Sequence, residues 1–330
     1  MKHTKAKDQM NEIADEVLSI IQSGNMPEWV KPWNGLFTPT NAHTGNAFSG
    51  LNVWASIIAM QRGEYSSPLF VAKGQANALI EQYNNENDGD DLFAFKKGGK
   101  ADTYHFRPIM YKLKKTEKDD EESPDRYAQG WVSYPVWNIE NTNIPAKWAS
   151  DRLGVEEREP VDASDLWNVV QSNLDGVRIV DGMAAYYTPS TDTITMPPMT
   201  AWESVDDYAC VLLHEASHAT GHPLRLARPL GGYAVRGGDY ATEELIAELS
   251  SVAACGVLGY ESNMTRSAAY LAGWASRTPQ KEARKAILNA LRESTKAASW
   301  VVGGRPESHD GATTTDGATM DALEGITTEH

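Results

Sequence analysis

Residues 205–220, VDDYACVLLHEASHAT, constrain this chain more than any other segment. The apolar run Tyr208 to Leu213 predicts a buried helix over Val205–Thr220, and His214 and His218 fall four apart on one of its faces, one turn from each other. Two imidazole nitrogens so placed can grip one ion at the ~2.0–2.1 Å of a zinc–nitrogen bond. Glu215, next to the first histidine, is positioned to take a proton from a water attacking a carbonyl. Such a centre needs a third protein ligand. A histidine six residues past His218 is excluded, because position 224 is Leu224. His222 is flanked by Gly221 and Pro223, which end the helix. The stretch Thr242-Glu243-Glu244-Leu245-Ile246-Ala247-Glu248-Leu249 is the better source, with Leu245, Ile246 and Leu249 fixing a second helix against the core. We assign Glu244 as the third zinc ligand and Glu248 as a neighbour that orients a ligand histidine through its other ring nitrogen. Glu243 and Glu248 stay open as alternative ligands. His222, Tyr233 and Tyr240 are the candidates for steadying an oxyanion.

Around this motif the periodicity alternates between helix and strand. Helices are predicted at Asp8–Gln22, Val53–Arg62, Gln75–Tyr83 and Ala163–Asn173. Four more are predicted at Val205–Thr220, Ala241–Leu258, Arg266–Ser276 and Gln280–Ala298. From Leu92 the pattern becomes extended, with Phe93, Phe95, Tyr104, Phe106, Ile109 and Tyr111 alternating with polar residues. Trp131–Ile139 is read as the partner of that segment across the charged loop Lys112–Arg126. Short strands are expected at Val177–Val180, Met183–Tyr187 and Thr193–Pro197. Lys147–Asp162, charged and aperiodic, is read as the boundary between two domains, 1–148 and 160–302. Residues 303–330 offer almost nothing to bury and read as a disordered tail.

No apolar run approaches the ~18–20 residues of a membrane span, and the N-terminus turns acidic too soon for a secretory signal. A cytoplasmic protein is therefore expected. Its two cysteines, Cys210 and Cys255, are too few for a disulfide framework and read as small core residues. The net charge of −15 argues against indiscriminate nucleic-acid binding. It is unevenly spread, however: residues 1–150 hold 16 Lys and Arg against 19 Asp and Glu, so most of the acidity lies in the second half.

Beyond these motifs, long stretches of the chain follow a known pattern. They include Trp29-Val30-Lys31-Pro32-Trp33, Pro39-Thr40-Asn41, Thr44-Gly45, Ser49-Gly50-Leu51-Asn52 and Tyr65-Ser66-Ser67-Pro68. Further on they include Ala185-Tyr186-Tyr187, Asp192 to Pro197, His214 to His222, Tyr240 to Leu249 and Ser267-Ala268-Ala269-Tyr270. The chain thereby resembles the ArdC-type antirestriction proteins of plasmids and phages. That resemblance implies an α+β fold, with an N-terminal single-stranded-DNA-binding domain of mixed helices and antiparallel strands. It also implies a C-terminal zincin-like metallopeptidase domain, and so a peptide substrate beside the DNA partner. Where the family carries a Gly-x-x-Val-x-Lys-Gly-Glu-Lys-Gly stretch, this chain has an acidic insertion, Glu86 to Asp91, and then Lys96-Lys97-Gly98-Gly99-Lys100. Single-strand binders combine cations that track phosphates with aromatic faces for stacking. The candidates are Lys31, Lys73, Lys96, Lys97, Lys100 and Arg107, with Trp29, Trp33, Phe37 and Phe48 as faces and Asn52 as a polar contact. In a zincin-like fold the strand Thr193–Met196 is expected beside the cleft, its free edge open to an extended peptide.

Overall fold

The computed structural model describes residues 2–23, 38–87, 92–95, 99–112, 127–154, 161–230, 238–262 and 265–303. The expected tail beyond Gly303 and the loop 113–126 lie outside these. The fold is α+β. The first half comprises α1 (Lys2–Ser23), β1 (Thr40–Asn41), α2 (Leu51–Gly63), β2 (Leu69–Ala72), α3 (Lys73–Glu86), β3 (Thr103–Lys112), β4 (Tyr127–Asn138) and α4 (Ala146–Leu153). The second comprises α5 (Leu166–Asn173), β5 (Arg178–Asp181), β6 (Tyr186–Thr188), β7 (Thr193–Met196), α6 (Val205–Ala219), α7 (Gly238–Leu258), α8 (Thr265–Arg277) and α9 (Gln280–Val301).

The first sheet runs β1-β2-β4-β3, with β3 and β4 forming the long antiparallel hairpin expected across the charged loop. Two local expectations fail, the strand at Leu92 and the aperiodicity of Lys147–Asp162. Leu92–Phe95 is not strand: Phe93 is 82% exposed, and Phe95 packs on Trp137. The proposed boundary segment contains most of α4, an amphipathic helix of about two turns closed by Gly154 in the left-handed conformation, where the absence of a Cβ removes the strain.

The second sheet runs β5-β7-β6, parallel between β5 and β7 and antiparallel between β7 and β6. This corrects the expected free edge. Thr193–Met196 is the central strand, hydrogen-bonded on both sides and buried throughout, because Val177–Val180 pairs with it rather than with the hairpin partner. The edge beside the cleft belongs to β6.

One hydrophobic cluster spans both halves of the sequence. Ala14, Val17 and Ile21 of α1 and Trp54 and Ile57 of α2 pack with Leu245 and Leu249 of α7, and with Ile287 and Leu291 of α9. Trp54 is fully buried, and its indole N–H donates to Ser294 Oγ at 3.1 Å. At the rim, Arg284 forks onto Asp15 with two bonds of 2.6 Å. The segment carrying α1 and α2 therefore shares a core with the helices that carry the second half's chemistry.

Candidate metal centre

Helix α6 begins where Ser204 Oγ accepts the Asp207 N–H at 3.0 Å, with Asp206 and Asp207 in the first turn, where carboxylates suit the helix dipole. It ends at Thr220–Gly221. A Cβ at Gly221 would lie 2.8 Å from Leu230 Cδ2 and 3.1 Å from the His218 carbonyl, so a side chain at this turn would require Leu230 to shift. Helix α7 packs along α6 through small residues: Ser217 Oγ meets Ser250 Oγ at 2.7 Å, and Ser251 Oγ donates to the Cys210 carbonyl at 2.7 Å. Cys210 and Cys255 are free thiols buried in this seam, as core residues would be. The close helix approach brings the acids of α7 to the histidines of α6.

The two histidine Nε2 atoms stand 3.1 Å apart. An ion ~2.05 Å from each would subtend an angle of roughly 100°, close to tetrahedral. The Glu244 carboxylate completes the set, with one oxygen 3.6 Å from His218 Nε2 and the other 3.7 Å from His214 Nε2. Ligand atoms of His214, His218 and Glu244 all lie within 4.8 Å of one another, the one such metal-ligating group among the described residues. Of the three candidate glutamates, Glu244 is the one whose carboxylate faces both Nε2 atoms.

The far sides of the rings face the other two acids. His214 Nδ1 faces Glu248 at 3.7 Å, and His218 Nδ1 faces Glu243 at 3.2 Å. Glu248 thus lies on the outer side of the His214 ring, beyond hydrogen-bond distance, and Glu243 occupies the corresponding place at His218 within it. Glu243 is in turn forked by Arg228, a buried residue of the loop after α6 that sequence reasoning missed. Burial alone would raise the Glu243 carboxyl and lower the His218 ring, but hydrogen bonds from Arg228 and His218 bring Glu243 below its usual range, and the hydrogen bond to Glu243 with the nearby Glu215 and Glu244 charges raises His218.

His214, His218, Glu244 and Glu248 line a cleft of about 260 Å³, together with Glu215, Tyr186, Tyr187 and Tyr240. Glu215, Glu244 and Glu248 all face it, and among the described residues no Lys or Arg does. Three carboxylates in so confined a space need a countercharge, which a divalent cation on the His214–His218–Glu244 set supplies. The donor set therefore fits a metal. Tyr240 donates to Glu244, and burial followed by that carboxylate pushes its hydroxyl up to about 12, so it remains a proton-bearing donor at neutral pH. His222 lies past the end of α6, its Nδ1 accepting from the Leu224 N–H at 3.3 Å. Tyr233 lies outside the described residues.

A family model for zincin-like metallopeptidases matches residues 169–293, and one for the N-terminal domain of anti-restriction factor ArdC matches residues 7–137. The crystal structure of the metal-free antirestriction ArdC protein from plasmid R388 aligns over 89% of this chain and 96% of its own, with a TM-score of 0.68 and 26% identity. The chain carries an ArdC-type N-terminal domain followed by a zincin-like domain. The Mn(II)-bound structure of the same R388 protein aligns with a TM-score of 0.60 and 25% identity, over 88% of this chain and 96% of that one. Among curated relatives, an Escherichia coli DNA primase TraC is 27% identical over 80% of this chain. A second Escherichia coli TraC is 28% identical over 79% of it. The chain spans only 24% and 18% of those two proteins. An uncharacterised Sinorhizobium fredii protein, y4eC, is 26% identical over 89% of this chain and 91% of its own length.

Within this chain, the residues expected to meet DNA have unequal places. Lys73, at the start of α3, and Lys100, just before β3, are exposed near one end of the first sheet, where Ala72, Val136 and Thr103 are in register. Arg107 is exposed further along β3. Trp29, Lys31, Trp33, Phe37, Lys96 and Lys97 lie outside the described residues. Phe48 is half-buried, its ring edge-on to His105 at 4.3 Å. Asn52 has a different job from the one expected: its amide donates to the Phe106 carbonyl at 2.9 Å and accepts the Phe106 N–H at 2.7 Å. It clamps α2 to the outer edge of β3 as a neighbouring strand would. The signal for this was weak, since an Asn at a helix start looks the same whether it serves backbone or ligand.

Proposed function

We propose that this chain is an antirestriction-type accessory protein that binds the single-stranded DNA of an incoming mobile element and carries a zinc-dependent peptidase centre. The carrying observation is the convergence of two imidazole nitrogens and the Glu244 carboxylate on one point of a cleft that also holds Glu215. Two His and one Glu, with room left for a further ligand, is the donor set of catalytic zinc sites. A bound divalent ion would supply Lewis acidity, polarising a water and a substrate carbonyl. Glu215 accepts the proton that such a water loses and returns it to the departing amine. Tyr240, once its hydroxyl turns from Glu244, would offer it to the developing oxyanion. The backbone of β6, at Tyr186 and Tyr187 on the cleft wall, presents the free edge along which an extended peptide can be held.

Residues 1–148 supply the DNA-binding function in this reading and 160–302 the hydrolytic one. The ArdC N-terminal match over 7–137, the likeness to DNA primases and the exposed cations Lys73, Lys100 and Arg107 support the first assignment. No helix among the described residues is long and apolar enough to cross a membrane. We place the site of action in the host cytoplasm, where restriction enzymes meet entering DNA.

Glu215→Gln tests the catalytic half. Zinc-loaded wild type should cleave a peptide library and the variant should not, with zinc content and folding equal in both. Equal cleavage by the two discards Glu215 as the base. A gel shift across a salt series tests the other half. Tighter, salt-sensitive binding of single strands than of duplex is expected, and equal binding discards it.

A further inference from the structure

The buried arginine behind the histidines has no part in the reaction as described, yet four of its five N–H donors are committed. Arg228 Nε donates to Glu243 Oε2 at 2.9 Å and one terminal nitrogen to Glu243 Oε1 at 2.8 Å, a bidentate fork. The same terminal nitrogen donates to the Ser217 carbonyl at 2.8 Å, and the other reaches Thr220 Oγ1 at 2.7 Å. Ser217 and Thr220 flank His218 in the last turn of α6, so a single guanidinium holds both the backbone around the ligand and the carboxylate that faces its ring.

We propose that Arg228 is a positioning residue of the metal centre, acting through Glu243 to fix the ring and tautomer of His218. The inference rests on the reading that His214, His218 and Glu244 hold a metal. Glu243 can orient His218 only if its own two oxygens are fixed. A carboxylate bonded by one imidazole at 3.2 Å would be free to rotate, whereas the fork from Arg228 locks its plane. With Glu243 held, the Nδ1 proton of His218 has one acceptor, and the Nε2 lone pair is left pointing at Glu244 and His214. A lysine cannot substitute, because a point charge makes no fork. The arginine also places a cation at the carboxyl end of α6, where the helix dipole favours it. A capping role of that kind alone would be independent of Glu243.

That independence separates the two roles. Zinc affinity of the full-length chain is measured by competition with a chromophoric chelator, and the coordination geometry is read from the visible spectrum of the cobalt(II) form. Arg228→Met and Glu243→Gln are each expected to weaken zinc binding about 10–100-fold and to alter the cobalt spectrum. The double variant should be no weaker than Glu243→Gln alone, because both changes break the same chain of contacts. Should Arg228→Met fail to fold with its glutamate left unpaired, the double variant removes that stranded charge, and its comparison with Glu243→Gln carries the test. Arg228→Met binding within twofold of wild type, or a double variant about tenfold weaker than Glu243→Gln, overturns the proposal. Wild type that takes up neither zinc nor cobalt overturns the metal reading itself, a result seen before any variant is made.

Discussion

His105 makes the stability of this protein depend on pH in a direction that can be worked from its surroundings. The ring is fully buried, its Nε2 2.8 Å from Ser56 Oγ, with Phe48, Phe70 and Tyr134 around it. Its Nδ1 is buried without a hydrogen-bond partner among the described residues. Burial pushes the ring from its usual 6.5 down to about 3. The unfolded chain therefore binds a proton that the folded chain refuses. Stability from this group is complete above pH ~6.5 and is lost progressively as pH falls towards ~3. At pH 5 the difference amounts to about 2 kcal/mol, from ~1.4 kcal/mol for each unit below the unfolded value. His105→Gln keeps a polar group for Ser56 and removes the titration. Denaturant unfolding of wild type and variant at pH 7.5, 6 and 5 isolates the effect, since every other group titrates in both. Wild type should lose about 2 kcal/mol more than the variant between pH 7.5 and 5. Parallel pH slopes would refute the reasoning, and would mean that the folded ring takes up its proton like an exposed one.

Asn52→Ala leaves both backbone groups of Phe106 unpaired and should cost about 2–4 kcal/mol, read as a lower Tm, with single-strand affinity unchanged. Weaker DNA binding at an unaltered Tm would return Asn52 to the DNA face. Arg225, whose side chain is 1% exposed, forks onto Asp192 and donates to the Ala219 carbonyl, tying the loop after α6 to the β6–β7 turn. Arg225→Met should destabilise by on the order of 3 kcal/mol by stranding Asp192; an unchanged denaturation midpoint would show that the pair contributes little. Lys100→Ala and Arg107→Ala should each reduce the slope of log affinity against log salt by about 1 if each meets one phosphate; an unchanged slope removes that residue from the DNA path.

The parts of this structure legible in the sequence are those set by local spacing. His214 and His218 share a face because four residues make about one turn, and α6, α7 and α9 begin within three residues of their predicted starts. Glu244 was reachable because only a neighbouring buried helix could supply a third ligand, although Glu243 and Glu248 competed with it. What sets them apart in the structure is the rotation of α7 about its axis. That rotation is set by the seam of Ser217, Ser250 and Ser251 against α6, and no periodicity reports it. Arg228 was invisible for a related reason: a lone arginine in an irregular loop carries no sign that it is buried. The central place of β7 depends on the parallel partner β5, which precedes it with β6 intervening, whereas alternation in a hairpin points only to β6. The packing of α1 and α2 on α7 and α9 joins residues more than 200 positions apart, and a boundary drawn from composition cannot anticipate it.

The most direct measurement is titration of zinc(II) into the purified full-length chain, alongside Glu244→Ala and Glu215→Gln. One ion per chain is expected for wild type and Glu215→Gln, with affinity at least ~100-fold weaker in Glu244→Ala, which loses one of three ligands. Zinc held as tightly by Glu244→Ala as by wild type would show that the α6 histidines and the α7 glutamate do not share an ion.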